Sequence, residues 1–348
     1  MKRHWHIVSI FIGALVLLVS CSTEVDLFAD GEDVPIVYAL LDPDADTNFV
    51  KITHSMGIPG DPINANNPEL TNYPGKLDVR ITEYCNGDSV RQFVLDTITI
   101  WDKEEGLFYS PAQKLYYTTE RFNKNSHGKW YSYKLTAVLP DRTLTAVADM
   151  VGSDSFFIRS SVVDFSGGNH HFDGGGGGKA THEIWFNPAA NGGIYDIYMT
   201  FIYFERRSWT SDTIRRSFTW HVDTFYQFFL PQHLHNGAFV ATYYPFDLYY
   251  QLNEFLGDDT LVPGLRRYLD DEPIQVSVTA GDRSLEEYVF FYNMSSSPTG
   301  ENISSPIDGG FGVFSALVTV ERGLRLGGTT LPELLETNWG FKYVGGHL

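Results

Sequence analysis

Short runs in which apolar and polar residues alternate constrain the fold of this 348-residue chain more than any other feature. Residues 77–82, Leu-Asp-Val-Arg-Ile-Thr, place an apolar side chain at every second position. Side chains of a β-strand point alternately to the two faces of a sheet, so this spacing is typical of a half-buried strand. Several such runs, with turns between them and little helical periodicity, predict an immunoglobulin-like antiparallel β-sandwich over residues 35–152.

Three turn sequences predict hairpins within this sandwich. Residues 42–48 are rich in Asp, Asn and Pro, residues 85–89 contain Asn-Gly, and residues 139–142 contain Pro-Asp. Asp and Asn adopt turn conformations readily, and Asn-Gly is the strongest short-range hairpin signal. We therefore expect the strands on either side of each turn to pair.

The remainder of the chain is predicted to be a Gly-rich linker or loop over residues 153–182 and a β-rich α+β domain over residues 183–348. Five consecutive glycines, residues 174–178, lose much conformational entropy on ordering, which favours the linker or loop. Strand-like runs in the second domain cover residues 181–186, 195–204, 214–222, 274–279 and 314–320. Helices are predicted from the apolar spacing of Phe246, Tyr249, Leu252 and Phe255, from the capping-box spacing of Ser284 and Glu287, and near residues 331–336 with Pro332 in the first turn.

The first 21 residues predict an exported, lipid-anchored protein. Lys2 and Arg3 precede an apolar run, and Leu-Val-Ser-Cys ends it at Cys21. This layout is that of a signal peptide (residues 1–20), and the run is shorter than the roughly 20 residues of a membrane-spanning helix. Leu-x-Ser-Cys resembles the lipobox of bacterial lipoproteins, in which the cysteine carries acyl chains such as palmitate. Two or more chains anchor a protein stably, since each buried methylene contributes about 0.8 kcal/mol. Residues 21–34 are then an acidic tether.

Composition excludes several classes of function. The formal net charge is −18, from 43 acidic and 25 basic residues, and such a surface argues against binding nucleic acid. A hydrophobic content of 43% indicates a folded chain rather than a disordered one. Once Cys21 is acylated, Cys85 is the only thiol left, so no internal disulfide or cysteine-based metal site can form.

The clearest family resemblance lies near the C-terminus, in residues 284–292 (Ser-Leu-Glu-Glu-Tyr-Val-Phe-Phe-Tyr) and 302–314 (Asn-Ile-Ser-Ser-Pro-Ile-Asp-Gly-Gly-Phe-Gly-Val-Phe). With the lipobox and Glu-Val-Asp-Leu at residues 24–27, they resemble a family of Bacteroidota outer-membrane lipoproteins of unknown function. The chain departs from the family pattern at residues 304–306 and in its long glycine run. The resemblance implies a non-enzymatic role, often beside TonB-dependent receptors, with no catalytic residues to carry over.

Aromatic residues are the main candidates for ligand contact. Tyr226, Tyr243, Tyr244 and Tyr250 fall within one aromatic-rich stretch of the chain. Exposed tyrosines can stack on a sugar ring, although core packing or a protein interface also enriches aromatics. The core alternative is favoured for residues 244–255, because they have the spacing of a buried helix face.

Metal and catalytic motifs are incomplete. Asp42, Asp44 and Asp46 alternate as in a calcium loop, but the Gly and Glu of an EF-hand are missing, so a solvated turn is favoured and calcium is left open. The remaining candidates are histidines near acidic groups and carboxylates adjacent in sequence. They are His170, His171, Asp173 and His182, His233 and His235, and the pairs Asp258–Asp259, Asp270–Asp271 and Glu286–Glu287. Neighbouring side chains diverge on strands and helices, which argues against acid–base pairs. We expect no cofactor, no metal and no enzymatic activity.

These observations predict an outer-membrane-anchored accessory or binding lipoprotein, with a β-barrel receptor as partner and the leaflet undecided. The alternative is a surface glycan-binding lipoprotein that uses the aromatic residues between Phe225 and Tyr250. A hydrolase is a weaker third hypothesis.

Overall fold

The structure is a computed structural model that describes residues 34–54, 71–101, 113–168, 181–207, 212–227, 234–257, 265–294 and 305–344. The predicted signal peptide, Cys21 and the glycine run of residues 174–178 lie outside these ranges. Within them the chain forms eighteen strands and three helices and is mainly β, as the sequence predicted. No helix in this part of the chain combines the length and the apolar character needed to cross a membrane.

The first eight strands form two facing sheets. Their bounds are β1 Pro35–Leu41, β2 Asn48–His54, β3 Asp78–Cys85, β4 Asp88–Val94, β5 Asp96–Ile100, β6 Gln113–Thr118, β7 Tyr131–Val138 and β8 Thr143–Asp149. One sheet has the order β1-β2-β6-β5 and the other the order β4-β3-β7-β8. This is the strand order of an immunoglobulin sandwich with one added strand, which confirms the predicted fold class.

All three predicted hairpins form, because each turn has residues that suit its backbone. Strands β1–β2, β3–β4 and β7–β8 pair antiparallel. Asn86 and Gly87 have φ angles of 53° and 91°, the left-handed values that a type I′ turn requires. Residue Asn48 closes the first turn, since its Oδ1 accepts from the Asp42 N–H at 2.7 Å.

A polar cluster around the buried Glu83 ties the sandwich together, and we call Glu83, Arg91, Asn123 and Tyr133 the Glu83 network. Glu83 is fully buried, and its carboxylate accepts from the Arg91 guanidinium and the Asn123 amide. The Tyr133 hydroxyl accepts from the Asn123 N–H at 2.8 Å and lies 3.2 Å from the Glu83 carboxylate. A tyrosine that bonds upstream backbone from this strand is a hallmark of immunoglobulin sandwiches.

Ten further strands follow the sandwich. Their bounds are β9 Val162–Val163, β10 His182–Phe186, β11 Ile194–Arg206, β12 Ile214–Tyr226, β13 Leu234–His235, β14 Ala238–Tyr243, β15 Arg266–Leu269, β16 Ile274–Gly281, β17 Phe311–Leu326 and β18 Phe341–Tyr343. Strands β12, β11, β16 and β17 lie side by side and continue into β1 of the sandwich, while β10, β14 and β13 form a small separate sheet.

The parallel pairing of β1 with β17 joins the two halves of the chain. It runs from Ile36 opposite Phe311 to Leu41 opposite Ala316. Gly312 has a φ of 115°, and a Cβ there would overlap the Val37 carbonyl, so only glycine permits this close approach. A strand of the predicted first domain and one of the predicted second therefore share a sheet, and the proposed domain boundaries stay predictions.

The three predicted helices are α1 Phe246–Leu256, α2 Arg283–Met294 and α3 Thr330–Glu336. The predicted cap of α2 is wrong: Asp282, not Ser284, precedes the helix, and its Oδ1 accepts from the Leu285 N–H at 3.1 Å. Asp282 is the single residue between β16 and α2, so the chain enters the helix two residues before the expected position.

Candidate functional site

Helix α1 positions the predicted aromatic residues. It packs Leu248, Tyr249, Leu252 and Leu256 against the protein. Phe246 and Phe255, which the sequence analysis placed on the buried face, are 39% and 52% exposed. The buried face is thus rotated from the predicted one, because Leu248 and Leu256 lie nearer the core.

The structure separates the four candidate tyrosines. Tyr243 is buried and Tyr226 is half-buried, whereas Tyr244 and Tyr250 are 44% and 48% exposed. Tyr244 stacks on Phe246 with ring centroids 5.4 Å apart, and Phe246 and Tyr250 lie one helical turn apart on α1. We call Tyr244, Phe246 and Tyr250 the aromatic ridge.

Tyr243 serves the interior instead of a surface. Its hydroxyl accepts from the Asp164 N–H at 2.8 Å, and its ring lies 5.1 Å from that of Phe165. Burial raises the pKa of its phenol well above the usual range, so Tyr243 stays neutral. It is not available to a ligand.

Beneath the aromatic ridge, the carboxylates of Glu333 and Asp164 accept hydrogen bonds from the backbone of residues 166–167. Glu333 accepts from the Gly167 N–H at 3.0 Å and from the Tyr249 hydroxyl at 2.9 Å. The Asp164 carboxylate accepts from the Ser166 N–H at 2.9 Å and from the Thr330 hydroxyl at 3.1 Å.

The pKa values in this cluster follow from those contacts. Burial favours the neutral form of Asp164, but the donors from Ser166 and Thr330 outweigh it and hold its pKa below the usual range. Burial and the Glu333 carboxylate raise the pKa of Tyr249. The cluster joins residues 164–167 to helix α3, more than 160 residues later, and no local sequence pattern signals such a contact.

The histidine candidates are not brought together within the described part of the chain. The candidates His170, His171, Asp173 and His233 lie outside the described residues. His182 packs its ring 5.8 Å from that of Tyr243, and His235 lies 6.3 Å from Trp185. Among the residues described, no three His, Cys, Asp or Glu side chains are grouped so as to hold a metal ion.

The acidic turn between β1 and β2 makes its contacts with basic residues near β6. Asp44 lies 2.6 Å from the Lys124 Nζ, and Asp46 lies 3.0 Å from the Arg121 guanidinium. The Asp42 carboxylate accepts from the Asp44 N–H at 2.8 Å. These contacts fit the solvated-turn interpretation, and calcium binding there stays open.

The carboxylate pairs also diverge. Asp258 and Asp259 lie outside the described residues. Glu286 is buried, whereas Glu287 faces the surface and lies 3.0 Å from the Arg283 guanidinium. Asp270 and Asp271 border a cleft beside the C-terminal part of β17.

A second exposed apolar surface lies on the sandwich. Tyr38, Leu40, Phe49 and Ile98, here called the sandwich outer face, are 38–43% exposed on β1, β2 and β5. The strand register places Leu40 next to Phe49, whose ring lies 6.4 Å from that of Tyr117 on β6. Tyr38 and Leu40 point outward because side chains alternate along β1, where Val37, Ala39 and Leu41 point into the core.

At the junction of the two halves, Asp282 lies buried beside a cavity of about 220 Å³. Its carboxylate accepts from the Ser315 hydroxyl at 2.6 Å and from the Ala316 N–H at 3.4 Å. Burial raises the pKa of Asp282 to about 6, because donors from Ser315 and from backbone N–H groups offset only part of the lost hydration.

No protein-family model and no curated protein matches the chain.

Proposed function

We propose that the chain is an outer-membrane lipoprotein, anchored through acyl chains on Cys21, that acts as a non-enzymatic accessory protein of a TonB-dependent β-barrel receptor. The lipobox-like sequence and the family resemblance support the anchor and the setting. The observation that carries the proposal is the sandwich outer face.

This surface suits a protein partner in the same membrane. Soluble monomers rarely leave large contiguous apolar patches exposed, and such patches mark interaction sites. Pro35, where β1 begins, follows Cys21 by about 14 residues, so even a fully extended tether keeps it within about 50 Å of the lipid. A β-barrel in that membrane is within reach of a face that starts on β1.

The test is a pull-down of the tagged lipoprotein from its native membrane in mild detergent, followed by mass spectrometry. The wild type and a control with Val90→Asp and Val94→Asp, two exposed valines on the opposite sheet, should retain a stoichiometric β-barrel. Leu40→Asp combined with Phe49→Asp should lose it. Recovery of the wild-type lipoprotein alone, or retention of the barrel by the double variant, contradicts the proposal.

Lipid attachment has its own test. Cys21→Ser should abolish metabolic labelling with palmitate and release the protein from the membrane fraction, whereas Cys85→Ser should change neither. Labelling that survives Cys21→Ser places the lipid elsewhere.

The aromatic ridge favours glycan binding as a second candidate function. Tyr244, Phe246 and Tyr250 are exposed, and aromatic faces pack on the apolar faces of sugars. Phe246→Ala with Tyr250→Ala should abolish retardation in affinity gels that contain polysaccharide, while Trp130→Ala, an exposed aromatic on the sandwich, should not. If the wild type migrates equally in gels with and without polysaccharide, this candidate fails.

A further inference from the structure

A cleft of about 630 Å³ opens where the turn between β15 and β16 faces the C-terminal part of β17. Its volume falls within the range of about 300–1,000 Å³ that small-molecule sites occupy. Three carboxylates line it, from Asp270, Asp271 and Glu272, together with two guanidinium groups, from Arg322 and Arg325. The cleft therefore carries both signs of charge.

Glycine at position 323 makes room for one of these groups. Gly323 lies opposite Gln275 in the pairing of β16 with β17, and a Cβ there would overlap the Glu272 carboxylate. Because the side chain is missing, Glu272 lies across β17, next to the strand that supplies both arginines.

One charge of each sign is held in place. The Arg322 guanidinium donates to the carbonyls of Ile158 at 2.8 Å and Arg159 at 3.1 Å. The Tyr343 hydroxyl donates to the Asp271 carboxylate. Backbone carbonyls and a phenol orient these ions without neutralising them.

The opposite charges of the cleft do not neutralise one another. Across the ranges that the structure describes, neither Arg322 nor Arg325 makes an ion pair with Asp270, Asp271 or Glu272, although all five line the same space. A ligand with a cationic and an anionic end can meet both groups at once.

We propose that this cleft binds a zwitterionic amino acid or short peptide, with its carboxylate toward Arg322 and Arg325 and its ammonium group toward Asp270 and Glu272. A guanidinium group can donate two parallel hydrogen bonds to the two oxygens of one carboxylate. A simple anion meets three carboxylates in the cleft, and a simple cation meets two guanidinium groups, so each is disfavoured. This site is independent of the proposed receptor and of the aromatic ridge.

The first test needs only the wild-type protein. Purified full-length protein in mild detergent is titrated by calorimetry with glycine and with triglycine, which differ in the separation of their charges. N-acetyltriglycine lacks the ammonium group and triglycine amide lacks the carboxylate, and each should bind at least about tenfold more weakly than triglycine. Saturable binding of either zwitterion, lost on blocking one end, is the expected result. The absence of binding by both zwitterions, or equal binding of the blocked peptides, overturns the proposal.

Variants then locate the site. Arg325→Gln and Glu272→Gln should each weaken binding by at least about tenfold, because each removes one charged contact. Arg215→Gln and Glu254→Gln remove exposed charges on β12 and α1 and should leave the affinity unchanged. Equal affinities across all four variants would show that the zwitterion binds elsewhere, which also contradicts the proposal.

Discussion

Glu83 in the sandwich and Asp282 at the start of α2 are both carboxylates with almost no exposed surface. Glu83 meets a guanidinium group, that of Arg91, together with the Asn123 amide and the Tyr133 hydroxyl. Asp282 accepts from neutral donors: the Ser315 hydroxyl and backbone N–H groups. The difference teaches that dipoles can satisfy the hydrogen bonds of a buried carboxylate without recovering its hydration energy. The free energy of unfolding should therefore depend on the Arg91 cation next to Glu83 and, through Asp282, on pH.

The largest effect is expected when the cation is removed. Arg91→Met keeps the apolar stem but leaves the buried Glu83 carboxylate without its cation. Because the Arg91 side chain is 37% exposed and water screens part of the pair, we expect a loss near the low end of the roughly 3–5 kcal/mol that breaking a fully buried pair costs. Denaturant titration at neutral pH measures the loss. Arg215→Met, on the exposed surface of β12, is the control and should change stability little. A loss below about 1 kcal/mol for Arg91→Met would show that neutral donors suffice in the sandwich too.

At the junction of the two halves, removing the charge of Asp282 should stabilise the protein, whereas removing the Arg91 cation should destabilise it. Because the folded-state pKa of Asp282 is raised from 3.8 to about 6, its contribution to stability is present below the unfolded value and is lost as pH rises through about 6. Asp282→Asn keeps a capping side chain without the charge. The free energy of unfolding of the variant minus that of the wild type should therefore be about 2 kcal/mol larger at pH near 7.5 than at pH near 4.

Denaturation of wild type and variant across this pH range checks the prediction. Ser315→Ala is the companion variant: it removes a donor to the carboxylate and should steepen the loss of stability with rising pH. Parallel pH profiles for wild type and Asp282→Asn would contradict the assignment of this dependence to Asp282.

Removal of single hydroxyl groups sharpens the comparison at intermediate size. Tyr133→Phe should cost about 2 kcal/mol, since both Glu83 and the Asn123 N–H lose a partner. Tyr249→Phe should cost about 1 kcal/mol, because Glu333 keeps its contact with the Gly167 N–H. Thermal and chemical unfolding measure both, and the reverse order of the two losses would contradict this reasoning.

The smallest effect is expected at the surface. Lys124→Ala removes the ion pair with Asp44, in which both side chains are about half exposed. Such pairs contribute about 0.5 kcal/mol or less, and salt screens them. Unfolding at low and high salt should show a difference only at low salt, and a salt-independent loss would indicate a role in packing.

Local signals in the sequence were sufficient for much of the fold. The hairpin at Asn86-Gly87 depends on two adjacent residues, and α1 depends on spacing within one helix. The Asp282 cap was missed because Ser284 has an equally good capping side chain, and only the end of β16 decides between them.

The candidate sites were less predictable, because exposure depends on distant parts of the chain. Tyr243 and Tyr244 are neighbours in sequence, yet one is buried against Phe165 and the other is exposed. The cleft between Asp271 and Arg322 brings together residues from β17 and the turn before β16, each of which looks like ordinary charged surface in the sequence. Their meeting depends on strand pairing, for which no local pattern exists.

The pairing of β1 with β17 has a consequence for the order of folding. Residues 36–41 are synthesised early, but their partners at 311–316 follow only after most of the chain. Contacts between such distant segments slow folding, and an unpaired strand edge is prone to wrong pairing while it waits. β1 therefore keeps one unpaired edge until β17 has been synthesised, and we expect folding to need chaperones that shield this edge during that interval.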